Sequence, residues 1–450
     1  MRLRQRAIED LWRRPPGHFD SLDGMRGFAS VIVQVYHCGL WTGLFAANAP
    51  APPGMGGVRA LLNGFWTGID IFYVLSGFLI GRILFLELVG DGFIHYRKFL
   101  IRRTFRIFPA YYFVITLSLF VIARSNVGLF PFLFSMGDWQ VLRANAWANY
   151  TYLSNYFYPG SAPNIMSWGW SLCVEEHFYL ILPPLLWAIF RFAPARNRPW
   201  LLLGCVALPL GGRAVQYGWN PSINLLDGFY YYSHNRFDEI FVGVLIAYLH
   251  VVHQDGAWRW AHRLRHVLWV AGVVCAASVW IAGGLWRGGQ FTVVWQFILM
   301  AVAAGLFVVN GLYLDNRATR FFAHPLWYPL SRVSYGSYLI HPFVLFALLS
   351  VHFALTGRLI VGVWPFAVFC VAVLTISNGL AAVMFMALER SMLDSGIRLG
   401  REWDTTRRRD ALFSLDGPPP PAVDVPQQTA AERFTSALES GTSASTARPR

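Results

Sequence analysis

Long apolar blocks separated by short polar stretches recur along the chain from Gly24 to Leu388. Many reach the roughly 20 residues that a helix needs to cross a bilayer core. The pattern predicts an all-α, polytopic membrane protein of about ten transmembrane helices. Spans are expected near residues 25–45, 65–88, 107–123, 169–190, 199–217, 236–252, 267–286, 291–313, 330–354 and 360–388. Arg213 and several glycines interrupt the fifth. The segment Trp139–Phe157, aromatic and only partly apolar, is expected as a re-entrant or interfacial piece.

The polar connections set an orientation. One alternate set is rich in arginine: Arg97, Lys98, Arg102, Arg103 and Arg106; Arg191, Arg196 and Arg198; Arg259, Arg263 and Arg265; Arg317 and Arg320. The other set carries far less positive charge. Basic loops stay in the cytoplasm, so both termini are expected there. Three regions follow: a cytoplasmic N-terminal segment over 1–18, a transmembrane domain over 19–392, and a cytoplasmic tail over 393–450. The tail is polar, contains Pro418 to Pro421, and is expected to be disordered.

Composition agrees with a membrane protein. Only 14% of the 450 residues are charged, against about 25% in a soluble domain. The net charge of +13 does not point to nucleic acid, because the arginines lie between apolar segments rather than in one patch. The basic N-terminus lacks the short apolar stretch and small-residue site of a cleavable signal. Cys38, Cys173, Cys205, Cys275 and Cys370 all fall in apolar segments without metal-type spacing, so neither a disulfide scaffold nor a metal site is expected.

Candidate chemistry lies in the charges placed inside spans, which cost roughly 2.5–3.5 kcal/mol each at a helix centre and tend to face a cavity or a partner. Arg26 sits near the cytoplasmic end of span one. His37 follows eleven residues later, roughly 16 Å deeper at 1.5 Å per residue. Asp70 lies near the outer start of span two, and Glu175 and Glu176 about two turns into span four. Each alone has a plain structural explanation, such as packing or helix capping. Their shared depth in the outer half favours a functional cavity. Arg103 and Arg106, with Arg102 beside them, share a face if their segment is helical. A second set comprises Arg236, Asp238 and Glu239 at the start of span six. Ser334, Ser337, Tyr338 and His341 form one stripe along span nine.

Six ordered blocks carry a resemblance: FDSLDGMRGFASVIVQVYH, GIDIFYVLSGFLIGRIL, RRTFRIFPAYY, SWGWSLCVEEHFYLILPPLL, NRFDEIFVGVLIAYL and SYGSYLIHPF. Together they cover about residues 19 to 390, and the chain resembles the membrane-bound acyltransferase family 3. Arg26 and His37 match the family's Arg and His separated by ten residues. Arg103 and Arg106 match its Arg-x-x-Arg, and Ser171, Leu172 and Glu175 its SL-x-x-E. Cys38 and Cys173, beside these motifs, stand outside the family pattern. Some members add an extracellular esterase-like domain. None is recognisable here, so any second relay step is expected to use a separate protein or not to exist.

The resemblance implies an integral membrane acyltransferase that moves an acyl group, acetyl foremost, from acyl-CoA to a hydroxyl of a carbohydrate-type or lipid-linked carbohydrate acceptor. The expected place is the bacterial inner membrane, with no bound cofactor and no nucleic-acid partner. His37 is expected as general base or acyl carrier, with Glu175 orienting it or binding the acceptor and Arg26 completing the catalytic set. Arg102, Arg103 and Arg106 are expected to meet the donor phosphates, and Asp70, Glu176, Asp238 and His341 to bind substrate. The competing reading is a proton-coupled transporter or lipid-linked-sugar flippase, since intramembrane Asp, Glu and His also serve proton relays. No inverted repeat favours it.

Overall fold

A computed structural model describes residues 19–45, 54–124, 139–159, 164–223, 225–285 and 289–407, with Glu9, Leu11, Trp12, Arg14 and Ala51 besides. Among these residues there is no strand. The long helices are α1 (Asp20–Trp41), α2 (Gly68–Gly90), α3 (Tyr96–Arg124), α4 (Trp170–Phe192), α5 (Arg198–Trp219), α6 (Phe237–Val252), α7 (Arg265–Ala282), α8 (Gln296–Tyr313), α9 (Trp327–Thr356), α10 (Val363–Met384) and α11 (Arg390–Arg407). A helix lies over each of the ten expected spans. Among the described residues, six helical stretches could cross a membrane by length and composition. A seventh joins them if Phe237–Val252 and Gln254–Arg263, bent by 111° at their junction, count as one broken span.

Glycine sets the central packing. A Cβ at Gly77 of α2 would overlap the carbonyl oxygen of Ile240 on α6, and one at Gly243 of α6 would overlap that of Val74 on α2. The reciprocal pair lets the two backbones touch, the usual role of small residues between membrane helices. α1 packs against α2 on one side and α9 on the other. α9 ends at Gly357, whose left-handed φ of +64° suits glycine and whose N–H closes onto Phe353 O at 2.7 Å.

Two expectations change. α3 begins at Tyr96 rather than near 107, because YRKFLIRRTFR contains no helix breaker. The basic segment is therefore helical and continuous with the apolar one. The tail expected to be disordered from 393 instead continues as α11 to Arg407. α11 lies on α3, with Gly396 against the Phe105 ring and Gly400 beside Lys98 and Arg102. Residues 408–450, and most of 1–18, lie outside the described residues. The stretch Trp139–Phe157 forms two short helices, Trp139–Tyr150 and Ser154–Phe157. Tyr111 and Tyr112 of α3 hold it through the carbonyls of Asn149 and Tyr150, both at 3.0 Å.

Candidate active site

The ends of α1, α2, α3, α4 and α9 enclose a cavity of about 280 Å³. Five arginines line it: Arg26 on α1, Arg82 on α2, Arg103 and Arg106 on α3, and Arg332 on α9. Three carboxylates, Asp23, Glu175 and Glu176, share the wall. Arg103 and Arg106 face it together because residues three apart on a helix are neighbours. Nε of Arg26, Arg82 and Arg332 and Oε1 of Glu176 are buried there without a hydrogen-bond partner among the described residues. Buried polar atoms ordinarily find partners, so this wall suits a polar, predominantly anionic ligand.

A narrow passage of about 50 Å³ continues from the cavity. Arg26, Leu172, Glu175 and Tyr335 line both spaces. Glu175 is fixed at their junction, accepting from Tyr179 Oη at 2.5 Å and Ser76 Oγ at 3.3 Å. The Arg103 guanidinium lies over the Tyr179 ring, 5.5 Å from its centre. Tyr335 donates to Ile107 O at 2.8 Å. The far end of the passage reaches Tyr338. Its hydroxyl bonds to Trp168 O and shares a hydrogen bond of 2.7 Å with Ser171 Oγ.

Next to Tyr338 stands a pair of histidines. The ring centres of Tyr338 and His341 are 5.8 Å apart. His341, fully buried, meets His37 with 2.7 Å between His341 Nε2 and His37 Nδ1. Trp41, one turn beyond His37, covers it at 5.2 Å between ring centres. Eleven residues make three helical turns, so Arg26 and His37 lie on one face of α1. On α9, Arg332 lines the cavity and His341 lies nine residues, about two and a half turns, further along the helix. The two helices run side by side in the same direction, with arginines at one end and histidines at the other.

This geometry revises several expected roles. Glu175 accepts from Ser76 and Tyr179 and makes no contact with His37 among the described residues. The partner of His37 is His341, expected instead as a substrate ligand. Asp70 is buried in an ion pair with Arg236, which also holds Glu239 at 2.8 Å. Asp238 is bound by Arg213 at 2.6 Å. All of these side chains are fully buried, so Asp70 and Asp238 balance buried arginines rather than line the cavity. Arg102 is exposed and lies against α11, outside the cavity. Glu176 does line it. Cys173 is buried with its Sγ 3.4 Å from Ser154 Oγ.

Arg82 and Arg332 are cavity residues outside the expected set. Each is an arginine within a span, the same signal that singled out Arg26. Arg82 sits at the basic end of its span, where it reads as a topology charge.

Residues 19–381 match the family model described as an acyltransferase domain. The chain belongs to this acyltransferase family. The acyltransferase is therefore an enzyme of the transferase class and a multi-pass membrane protein. It is 28% identical over 349 residues to a Bacillus subtilis (strain 168) protein provisionally named peptidoglycan O-acetyltransferase YrhL, covering 72% of this chain and 48% of the relative. It is 30% identical over 196 residues to the peptidoglycan O-acetyltransferase OatA of Listeria monocytogenes, covering 41% and 26%. A provisionally named O-acetyltransferase of Staphylococcus aureus (strain COL) is 24% identical over 241 residues, covering 52% and 35%. The chain thus spans less than half the length of these curated relatives. No solved structure matches it significantly.

Proposed function

We propose that this acyltransferase moves an acetyl group from acetyl-CoA to a hydroxyl of a cell-surface carbohydrate, across a bacterial inner membrane. The observation that carries the proposal is that the arginine cavity and the narrow passage share Arg26, Leu172, Glu175 and Tyr335, and that Tyr338 of the passage stands 5.8 Å from His341 between ring centres. The printed names of the relatives support acetyl as the group and a glycan such as peptidoglycan as the acceptor.

The topology completes the proposal. Ten spans with both termini in the cytoplasm put the arginine cavity on the cytoplasmic side and the histidines toward the outer side. Guanidinium groups match phosphate oxygens with a rigid donor fork, so the cavity suits the phosphates of CoA. The pantetheine arm would then run along the passage toward the histidines. Arg26 and Glu175 stand where that arm would enter.

At the histidines the acetyl thioester meets the acceptor hydroxyl. His37 takes the hydroxyl proton as the oxygen attacks the thioester carbon. The C–S bond breaks, and the proton passes to the leaving thiolate, giving the O-acetyl ester and CoA. Transfer through an acetyl-His37 intermediate uses the same groups.

Membranes containing the protein, supplied with radiolabelled acetyl-CoA and peptidoglycan precursor, test the proposal. Label in a glycan ester that mild base releases is expected. Label that accumulates in vesicles without an ester would favour the transporter and contradict the enzyme reading.

A further inference from the structure

We infer that His341 is a positioning residue that holds the proton of His37 on Nδ1, leaving Nε2 of His37 as the atom that acts on substrate. The inference rests on the proposed role of His37 and assigns its reacting nitrogen.

Pro342 follows His341 within α9. A proline inside a helix has no N–H for the carbonyl four residues before it, which here belongs to Tyr338. That carbonyl oxygen is therefore free of its helical partner. His341 Nδ1 lies 2.8 Å from it, and 3.2 Å from Ser337 O. Both neighbours accept hydrogen bonds and neither donates. His341 Nδ1 must therefore carry a hydrogen. A doubly protonated ring is disfavoured, since His341 is fully buried and no carboxylate is among its contacts. The neutral ring with its hydrogen on Nδ1 presents a bare lone pair at Nε2.

That lone pair faces His37 Nδ1 at 2.7 Å. The ring planes differ by only 5°, and the centres are 4.9 Å apart. This separation is what two ring radii and the N···N contact add up to. The rings therefore share a plane and meet edge to edge, as an in-plane N–H···N bond requires, rather than face to face. His37 must donate through Nδ1. Its Nε2 is then unprotonated and carries no hydrogen bond to the protein among the described residues. A fixed tautomer is the service that the buried carboxylate performs for histidine in a Ser-His-Asp triad. Here a proline-freed carbonyl performs it through a second histidine.

The deciding experiment compares steady-state acetyl transfer by the full-length protein in membranes for His37→Ala, His341→Ala, His341→Gln and His341→Asn. Thermal melting of each purified variant controls for folding. His341→Ala is expected to lower kcat roughly a hundredfold or more, the scale of acid–base catalysis, with donor KM unchanged. Gln can place its amide oxygen where Nε2 was and accept from His37 Nδ1; Asn is too short. His341→Gln should therefore restore much of the lost kcat and His341→Asn should not. If His341→Ala does not fold, the Gln and Asn pair alone decides: equal activity would overturn the inference. Wild-type kcat in His341→Ala, or a loss confined to KM, would overturn it too. Should His37→Ala retain full activity, the role of His37 itself fails, which is a distinct outcome.

Discussion

Arg26 and His37 lie on the same face of α1, three helical turns apart, so one rigid element carries both the arginine of the cavity and the histidine beyond the passage. α9 also carries an arginine of the cavity and a histidine of the pair, Arg332 and His341, about two and a half turns apart. The span between binding and chemistry is thereby set by helix geometry and not by loops. A donor anchored at the arginines has a fixed reach to the histidines.

Anchoring gives the first expectation. Arg103→Ala, Arg106→Ala and Arg332→Ala should each weaken donor binding roughly tenfold or more, since a hydrogen bond to a charged group contributes about 1.5–3 kcal/mol. Arg102→Ala, whose side chain lies outside the cavity, should leave donor KM unchanged. Kinetics against acetyl-CoA concentration separates the two classes. Equal effects at Arg102 and Arg103 would remove the cavity from donor binding.

The buried ion pairs should matter to stability rather than chemistry. Asp70→Asn leaves Arg236 buried with less compensation, at a cost of about 3–5 kcal/mol for a broken buried pair. The detergent-solubilised variant should melt earlier than wild type. The surviving folded fraction should keep its donor KM. A raised KM with unchanged melting would place Asp70 at the substrate after all.

Close packing of α2 on α6 makes a third case. Gly77→Ala or Gly243→Ala drives a methyl into a backbone carbonyl, and overpacking of this kind costs about 1–3 kcal/mol or more. Yield of monodisperse protein and its melting temperature should both fall. By contrast Gly211→Ala, with no atom near its Cβ position, should behave as wild type.

What was legible in the sequence follows the range of the interactions. Helices could be read from hydropathy because a span is a local property. The pairing of Arg26 with His37 could be read because both sit on one helix, and Arg103 with Arg106 for the same reason. His341 lies 304 residues from His37, and no spacing rule reaches that far. Its adjacent Pro342 was visible, but the meaning of a freed carbonyl depends on where the imidazole lies. Asp70 and Asp238 read as substrate ligands because an acid within a span looks the same whether it faces a ligand or an arginine of another helix. Only the fold shows Arg236 and Arg213 beside them. Arg332 lies off the stripe of Ser334, Ser337, Tyr338 and His341, at the basic end of its span, where an arginine also serves as a topology charge.

The most direct measurement is acetyl transfer by His37→Ala, in membranes where insertion and melting match wild type. Transfer of radiolabel from acetyl-CoA to the glycan should fall to background, while binding of the donor at the arginine cavity persists. Transfer at the wild-type rate would contradict a reaction centred on His37.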